Sequence, residues 1–321
     1  MKDALTIGVF DGLHLGHRDI LARALDRAKQ GGGRCIVVSF DPHPDLVLAP
    51  SFCALAPLTP LPEKREMLRA LGVDALEVLP FTRELASLAP EDFVDRHLVA
   101  AFDPGWLVVG ENFALGAGRA GNIRRLAAIG SLRGFKVDAV PLREAEGSVV
   151  SSSRIREALD AGRVADAGRW LGRRYALAGT VVRGEAIGRT LGSPTANLRL
   201  LEEKYVPAHG IYAVWVRIAD AVAGEADEGV AGASLAGAMS IGVRPTFGGQ
   251  VPTLEVHLLD WSGDLVGRTL TVEFVDWLRP ERKYENAAAL AEAIAADVEE
   301  TRVRLANLRR PAPWGPLAPA E

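Results

Sequence analysis

Cysteine is nearly absent from this 321-residue chain. Cys35 and Cys53 are too few for a disulfide framework, and no metal-ligand spacing surrounds them. No run approaches the ~18 uninterrupted apolar residues of a membrane-spanning helix. An excess of one charge is missing too: 37 basic residues meet 41 acidic ones, a net charge of −4. That balance argues against a chain built for non-specific nucleic-acid binding. Lysine is scarce, and with abundant alanine and glycine this reads as genomic base composition, not function. No Gly-Lys dipeptide occurs, so no Walker A loop is present. MKDALTIGVFDG enters a strand pattern directly, with no signal or transit segment, and the expected location is the cytoplasm. What the chain does have is core material: 48% of residues are hydrophobic and 24% charged, the balance of a globular protein, over a length that fits two domains.

The two halves differ in period. Up to about residue 170, short apolar runs alternate with helical patterns: ALTIGVF (4–10), a helix over 15–30, CIVVSF (35–40), LEVLPF (76–81), a helix over 91–102, WLVVG (106–110), a helix over 124–134, KVDAVPL (136–142) and a helix over 153–162. Buried strands alternating with helices predict an α/β domain with a Rossmann-like parallel sheet, whose ligands sit at the carboxyl ends of strands. From about Leu171 the runs alternate apolar and polar residues: 175–184, 210–218, 237–243, 253–260 and 268–278. They predict an antiparallel β-domain, closed into a barrel because closure removes exposed edges, with a terminal helix over 286–308. The linker is placed near GRWLGRRY (168–175), which gives domains of 1–168 and 172–310. Residues 219–234 read as a mobile hairpin loop and 311–321 as a flexible proline-rich tail.

GVFDGLHLGH (8–17) is the strongest signal in the first half. A strand ends near Phe10, Gly12 permits a tight turn, and His14 and His17 flank Gly16 where a helix begins. Free N–H groups and the positive dipole end favour an anion there, two imidazoles donate to phosphate oxygens, and Gly16 lets the backbone approach. Gly8, Phe10, Asp11 and Gly16 are assigned to nucleotide binding in this turn. VVSSSRIREAL (149–159) adds an N-cap serine cluster, with Ser152, and the guanidiniums of Arg154 and Arg156 for nucleotide phosphates. In VVGENFALGAGRAGN (108–122), Asn112 is placed to hydrogen-bond a ring system and Phe113 to stack on it. SFDPHPDLVL (39–48) supplies Asp41 and His43 at another strand end. Each element also has a plain reading, as a surface turn, a helix cap or an ordinary loop.

GVFDGLHLGH, FDPHP, VVGENFALGAGRAGN and SSSRIR, in this order, resemble the adenylyltransferase module of bacterial bifunctional riboflavin kinase/FAD synthetases, in the HxGH nucleotidyltransferase superfamily. The resemblance implies transfer of AMP from ATP to FMN with release of pyrophosphate. It gives His14 and His17 the stabilisation of charge on the α-phosphate, Asn112 the positioning of nucleotide and flavin, and Arg156 the ATP phosphates.

The β-domain opens with GTVVRGEAIGRTLGSPTANL (179–198). Gly179, Gly184, Gly188 and Gly192 make a loop able to lie over phosphates. Pro194 directs an extended segment that shows Thr195 and Asn197 on one side, a hydroxyl and an amide oxygen that suit Mg²⁺ already carrying ATP phosphates. SIGVRPTFGG (240–249) places Arg244, Thr246 and Phe247 in a loop after a strand. Glu255, at the barrel's polar mouth, is a carboxylate able to accept a hydroxyl proton, and Arg279 either clamps a ligand or is solvated. Alone, Glu255 equally reads as a solvated strand residue.

This stretch is similar to the riboflavin kinase module of the same family, whose PTAN motif is Pro194–Asn197 here. That likeness implies a six-stranded barrel, Thr195 and Asn197 near Mg-ATP, and Glu255 as base on the ribityl 5′-hydroxyl. Two positions depart from the family pattern: Ser193, where an aromatic is usual, and Val266, where a tyrosine is common. The expected activity is phosphorylation of riboflavin to FMN by the C-terminal domain and adenylylation of FMN to FAD by the N-terminal one, with ATP as co-substrate, Mg²⁺ as cofactor, and no nucleic-acid or membrane partner. Homo-oligomerisation stays open. Two alternatives also remain: transfer to another phosphorylated acceptor, or a flavin-binding protein with a degenerate kinase half.

Overall fold

The computed structural model describes residues 2–49, 56–184, 194–219, 234–246 and 249–308. By contacts the chain divides between Ser152 and Ser153 into two units.

The first unit is built on five strands: β1 (Lys2–Ile7), β2 (Gly32–Asp41), β3 (Ala75–Pro80), β4 (Pro104–Gly110) and β5 (Lys136–Val140). They lie in the order β3-β2-β1-β4-β5 and every pairing is parallel. The strands read as apolar runs because both sheet faces are covered. Ala4, Cys35, Val37 and Val108 face one core with Leu21, Ala24 and Ala28 of helix α1 (Leu15–Gly31), while Leu5, Ile36, Val38 and Leu107 face another with Phe93, Leu98, Leu126 and Ile129. Helix α2 (Leu61–Ala70) adds Met67 and Leu68 to the first core, and α3 (Ile123–Arg133) covers the second. The helix expected over 91–102 is shorter and changes pitch, a four-residue turn Pro90–Phe93 running into a π-helix Val94–Val99. Burial in this sheet pushes the Cys35 thiol up to about 12, leaving it unreactive. From β1 the chain moves outward through β2 and β3, then returns to β4 on the other side. The carboxyl ends of β1 and β4 therefore flank the point where strand order reverses, the place an open parallel sheet offers a ligand.

The second unit takes two helices, α4 (Ser152–Asp160) and α5 (Val164–Leu171), and a barrel. The stretch expected as a linker is largely helix α5, which buries Trp170 and Leu171 and ends on Gly172 at φ 64°. Six strands, β6 (Ala176–Val182), β7 (Ala196–Leu200), β8 (Gly210–Ala219), β9 (Leu235–Thr246), β10 (Gly249–Leu258) and β11 (Thr269–Arg279), close in the order β6-β7-β10-β9-β8-β11. Every pairing is antiparallel, with β11 against β6 completing the ring, Leu177 opposite Val272. Leu177, Val181, Leu198, Tyr212, Met239, Ile241, Leu254, Val256, Val272 and Phe274 are buried. Helix α6 (Ala287–Ala306) starts from an Asn286 cap, and its Leu305 packs on Ala213 and Trp215 of β8. Residues 220–233, Gly188, Gly192, Ser193, Phe247 and the tail 311–321 lie outside the described residues.

Candidate active sites

The turn after β1 has a backbone few sequences tolerate. Phe10 and Leu13 stand at φ 51° and 44°, and Gly12 at 87°. Left-handed conformations of non-glycine residues cost ~1–3 kcal/mol each and persist only where surroundings fix them. Here burial does so: Phe10 is 2% exposed and Leu13 fully buried. Asp11, also buried, accepts the backbone N–H groups of Leu58 (3.2 Å) and Thr59 (3.0 Å). The Asp11 carbonyl accepts Ser152 Oγ at 2.7 Å, and Lys64 Nζ donates to the Val9 carbonyl at 2.7 Å.

His14 caps α1, its Nδ1 accepting the His17 N–H at 3.3 Å. The two imidazoles stack, centroids 3.6 Å apart and 18° from parallel, and the Phe10 ring meets His17 edge-on at 5.2 Å. A side chain at Gly16 would come within 3.3 Å of His14 Cε1, so glycine is what lets the stack form. Burial first, then the charges of His14 and Lys64, hold His17 well below the ordinary histidine value. Its Nδ1 is buried without a hydrogen-bond partner among the described residues. His17 is thus held neutral at physiological pH, and the pair lies at the start of a 17-residue helix beside the switch point of the sheet.

The other residues assigned to this turn have varied surroundings. Phe10 and Asp11 are buried, one as the wall that sets the His17 ring and the other as the acceptor that holds residues 58–59. Both shape the site from behind, because their polar and apolar surfaces are already used. Gly8 has the Phe10 ring 3.2 Å from where a Cβ would stand. Asn112 is exposed after β4, with its carbonyl accepting Arg119 at 3.1 Å. Phe113 is half-buried against the core that contains Leu5 and Val109, so only part of its ring is available for stacking. His43 caps a short helix, Pro44–Leu48. Arg154 and Arg156 belong to the second unit. Arg154 lies 3.9 Å over the Trp170 ring, and the buried Arg156 lies 5.4 Å over Tyr205, whose hydroxyl donates to Asp160 at 2.7 Å.

Sequence reasoning passed over Lys64. A signal was there: in LPEKREML the lysine shares the helix face of Met67 and Leu68, a charge on an apolar stripe.

In the second unit the PTAN segment forms the start of β7, between β6 and β10. Asn197 is opposite Val182 on one side and Glu255 on the other. Thr195 Oγ1 donates to Glu255 Oε2 at 3.1 Å. Strand alternation turns Ala196, Leu198, Leu254 and Val256 to the buried side and leaves Thr195, Asn197, Glu255 and His257 half-buried on the other. The glutamate expected at the barrel's mouth therefore sits on its outward face, where a ligand is met without entering the packed interior. Gly184 abuts this cluster: a Cβ there would stand 2.2 Å from Asn197 Nδ2. His257 Nδ1 pairs with the Pro194 carbonyl at 2.9 Å, fixing the chain just before Thr195. A cleft of about 840 Å³ opens beside them, lined by Gly184, Thr195, Asn197, Trp261, Asp264 and Val266 among others.

Two residues assigned to this site have settings other than those expected. Arg244 is inside strand β9 opposite Val251, not in a loop, because β9 and β10 extend as a long hairpin whose pairing continues to Thr246 and Gly249. Arg279 is neither a free clamp nor solvated: Nε and Nη2 both bond the Asp297 carboxylate at 2.6 Å, pinning helix α6 to β11.

A parallel-sheet unit with paired helix-cap imidazoles and a barrel unit with a threonine–asparagine–glutamate cluster define a two-site transferase that handles nucleotide phosphates in both halves. Comparison with known proteins agrees. The FAD synthetase family model matches residues 1–154 and the riboflavin kinase model residues 171–305. The bifunctional riboflavin kinase/FMN adenylyltransferase of Pseudomonas fluorescens is 41% identical over 92% of this chain and 91% of its own. Those of Listeria monocytogenes and Escherichia coli K12 are 35% and 36% identical, each over 96% of this chain and 94% of theirs. The chain belongs to the bifunctional riboflavin kinase/FMN adenylyltransferase family, with its adenylyltransferase half first and its kinase half second. A crystal structure from Streptococcus pneumoniae described as a macrolide-efflux protein superimposes with a TM-score of 0.84, at 30% identity over 96% of this chain and 95% of that one. Among the described residues of the present chain, no helix is long and apolar enough to cross a membrane.

Proposed function

We propose that the two activities of this family divide between the two clusters, within the expected limits 1–168 and 172–310. In the barrel, riboflavin lies in the cleft lined by Thr195 and Asn197, and Glu255, bonded to Thr195, accepts the proton of the ribityl 5′-hydroxyl as that oxygen bonds to the γ-phosphorus of ATP and the bond to the β–γ bridging oxygen breaks, its electron pair leaving with ADP. The hydroxyl of Thr195 donates to Glu255 yet keeps lone pairs for a cation, and the Asn197 amide oxygen is a second hard ligand. The donor set fits Mg²⁺ that arrives with triphosphate: among the described residues no group of three or more His, Cys, Asp or Glu could hold a metal by itself. Held by Thr195 and Asn197, the ion would offset phosphate charge during transfer. Gly184 would lie over the phosphates.

In the first unit His14 and His17 donate to the α-phosphate of ATP while an FMN phosphate oxygen attacks it. The new P–O bond forms as the bond to the bridging oxygen breaks, and its electron pair leaves with pyrophosphate. Asn112 and the free edge of Phe113 position the flavin and nucleotide, and Ser152 holds the turn. Riboflavin, FMN, FAD and ATP are its small-molecule partners, a homo-oligomer stays open, and the cytoplasm is the proposed location.

What carries this reading is the 3.1 Å bond between Thr195 and Glu255 in a unit separate from the stacked histidines, so that each unit has its own cluster of groups suited to phosphate chemistry. Incubation with riboflavin, ATP and Mg²⁺ followed by separation of flavins should show FMN, then FAD. FAD made from FMN with no FMN made from riboflavin would overturn the kinase assignment.

A further inference from the structure

Lys64 has no part in the chemistry so far. It lies in α2 (Leu61–Ala70) and is 6% exposed. Lysine is among the residues least often buried, since its ammonium must leave water, and a buried one is held by partners. Here Nζ donates to the Val9 carbonyl oxygen at 2.7 Å, an oxygen that also accepts Ser39 Oγ at 3.2 Å. Asp11, two residues on, closes the same clasp by accepting the N–H groups of Leu58 and Thr59. The strained turn and the segment entering α2 are thus fastened from both sides.

A neutral donor would satisfy the Val9 carbonyl equally well, and Ser39 already supplies one. What the lysine adds is charge. Burial lowers its pKa while Asp11 and Asp41 act to raise it. The charge of the lysine acts on His17, as does the stacked His14.

We infer that Lys64 is a positioning residue of the adenylyl-transfer site, fixing the Val9–Asp11 turn that carries the imidazoles and setting a positive charge beside His17. The charge opposes protonation of the imidazole, so His17 meets phosphate as a neutral N–H donor. This inference rests on the assignment of His14 and His17 to adenylyl transfer.

The test uses the full-length protein with FMN and ATP, measuring FAD formation against pH, with riboflavin phosphorylation as an internal control. Lys64→Met should lower kcat for FAD formation by about a hundredfold with little change in KM for ATP. Its acid limb, and the His17 titration followed by ¹⁵N-histidine NMR, should move to higher pH. Lys64→Arg, which keeps the charge, should keep the parental pH profile even where its rate falls. Parental rates and profile in Lys64→Met would overturn the inference. So would a loss that follows only the unfolding midpoint, with the His17 titration unmoved. Should Lys64→Met leave the first unit unfolded, Lys64→Arg decides, and a displaced profile in that variant refutes the role of charge. The histidine assignment is checked separately: a His17→Ala variant that still makes FAD at the parental rate overturns the assignment, whereas loss in His17→Ala beside a normal Lys64→Met overturns only the lysine.

Discussion

Thr195 Oγ1 and Glu255 Oε2 meet at 3.1 Å across 60 residues of sequence, on neighbouring antiparallel strands. The bond orients the carboxylate. Because Asn197 is paired directly opposite Glu255, a hydroxyl, an amide and a carboxylate share one half-buried strip beside an 840 Å³ cleft. None of the three has a special environment alone. Their register makes the site.

Glu255→Gln keeps an oxygen for the Thr195 hydroxyl and removes the basicity. Riboflavin phosphorylation should fall by about 10²–10⁴-fold, the usual worth of a general base, while FAD formation from supplied FMN continues at the parental rate. Flavin separation after parallel incubations measures both.

His14→Ala should do the reverse. Removing one donor to a phosphate in transfer costs about 10²–10³-fold in kcat, and cap and stack are lost with it. FMN should then accumulate from riboflavin, and FAD should not.

Gly184→Ala would force a methyl group to within 2.2 Å of Asn197 Nδ2 as the backbone stands. The amide must turn away, so KM for ATP in the kinase reaction should rise about tenfold, corresponding to ~1.4 kcal/mol. Steady-state kinetics of each reaction would show the effect confined to the kinase.

Arg279→Met separates a structural role from a ligand role. The arginine and Asp297 side chains are 19% and 10% exposed, and leaving the carboxylate unpaired should destabilise the barrel by about 3 kcal/mol in urea unfolding. KM values for riboflavin and ATP should stay unchanged. A raised KM with unchanged stability would restore the clamp.

Acid should weaken the first unit through His17. Its pKa in the folded protein lies well below the ordinary 6.5, so the unfolded chain takes up a proton there that the folded one resists. The stabilisation is complete above about pH 6.5 and declines as pH falls toward the folded-state value. Unfolding midpoints between pH 7.5 and 5 should show the slope, and His17→Leu should flatten it.

How much of this was legible beforehand varies from residue to residue. Val37 and Val108 sit in runs whose uniform hydrophobicity already says both faces are covered. Leu254 and Val256 alternate with Glu255, which separates buried side from outer side without any structure. The histidine turn and the PTAN segment were legible because their residue types serve one chemistry. That the Phe10 and Asp11 side chains are buried was not legible, since a motif gives neighbours in sequence and says nothing of which side chains the core takes back. Strand β7 escaped the pattern because it is short and follows the glycine-rich loop, leaving few positions over which to count alternation.

The order of strands and helices, the change of period near Leu171, and the residue types that suit phosphate were set by the sequence itself, because backbone propensity and hydrophobic spacing are local properties. Tertiary structure alone decided that Lys64 lies beneath the histidine turn, that Arg279 spends its donors on Asp297, and that Glu255 faces outward beside Thr195. Those pairings join residues 18 to 60 apart. They depend on strand register and on which polar groups must find partners once water is gone, and no local pattern encodes either.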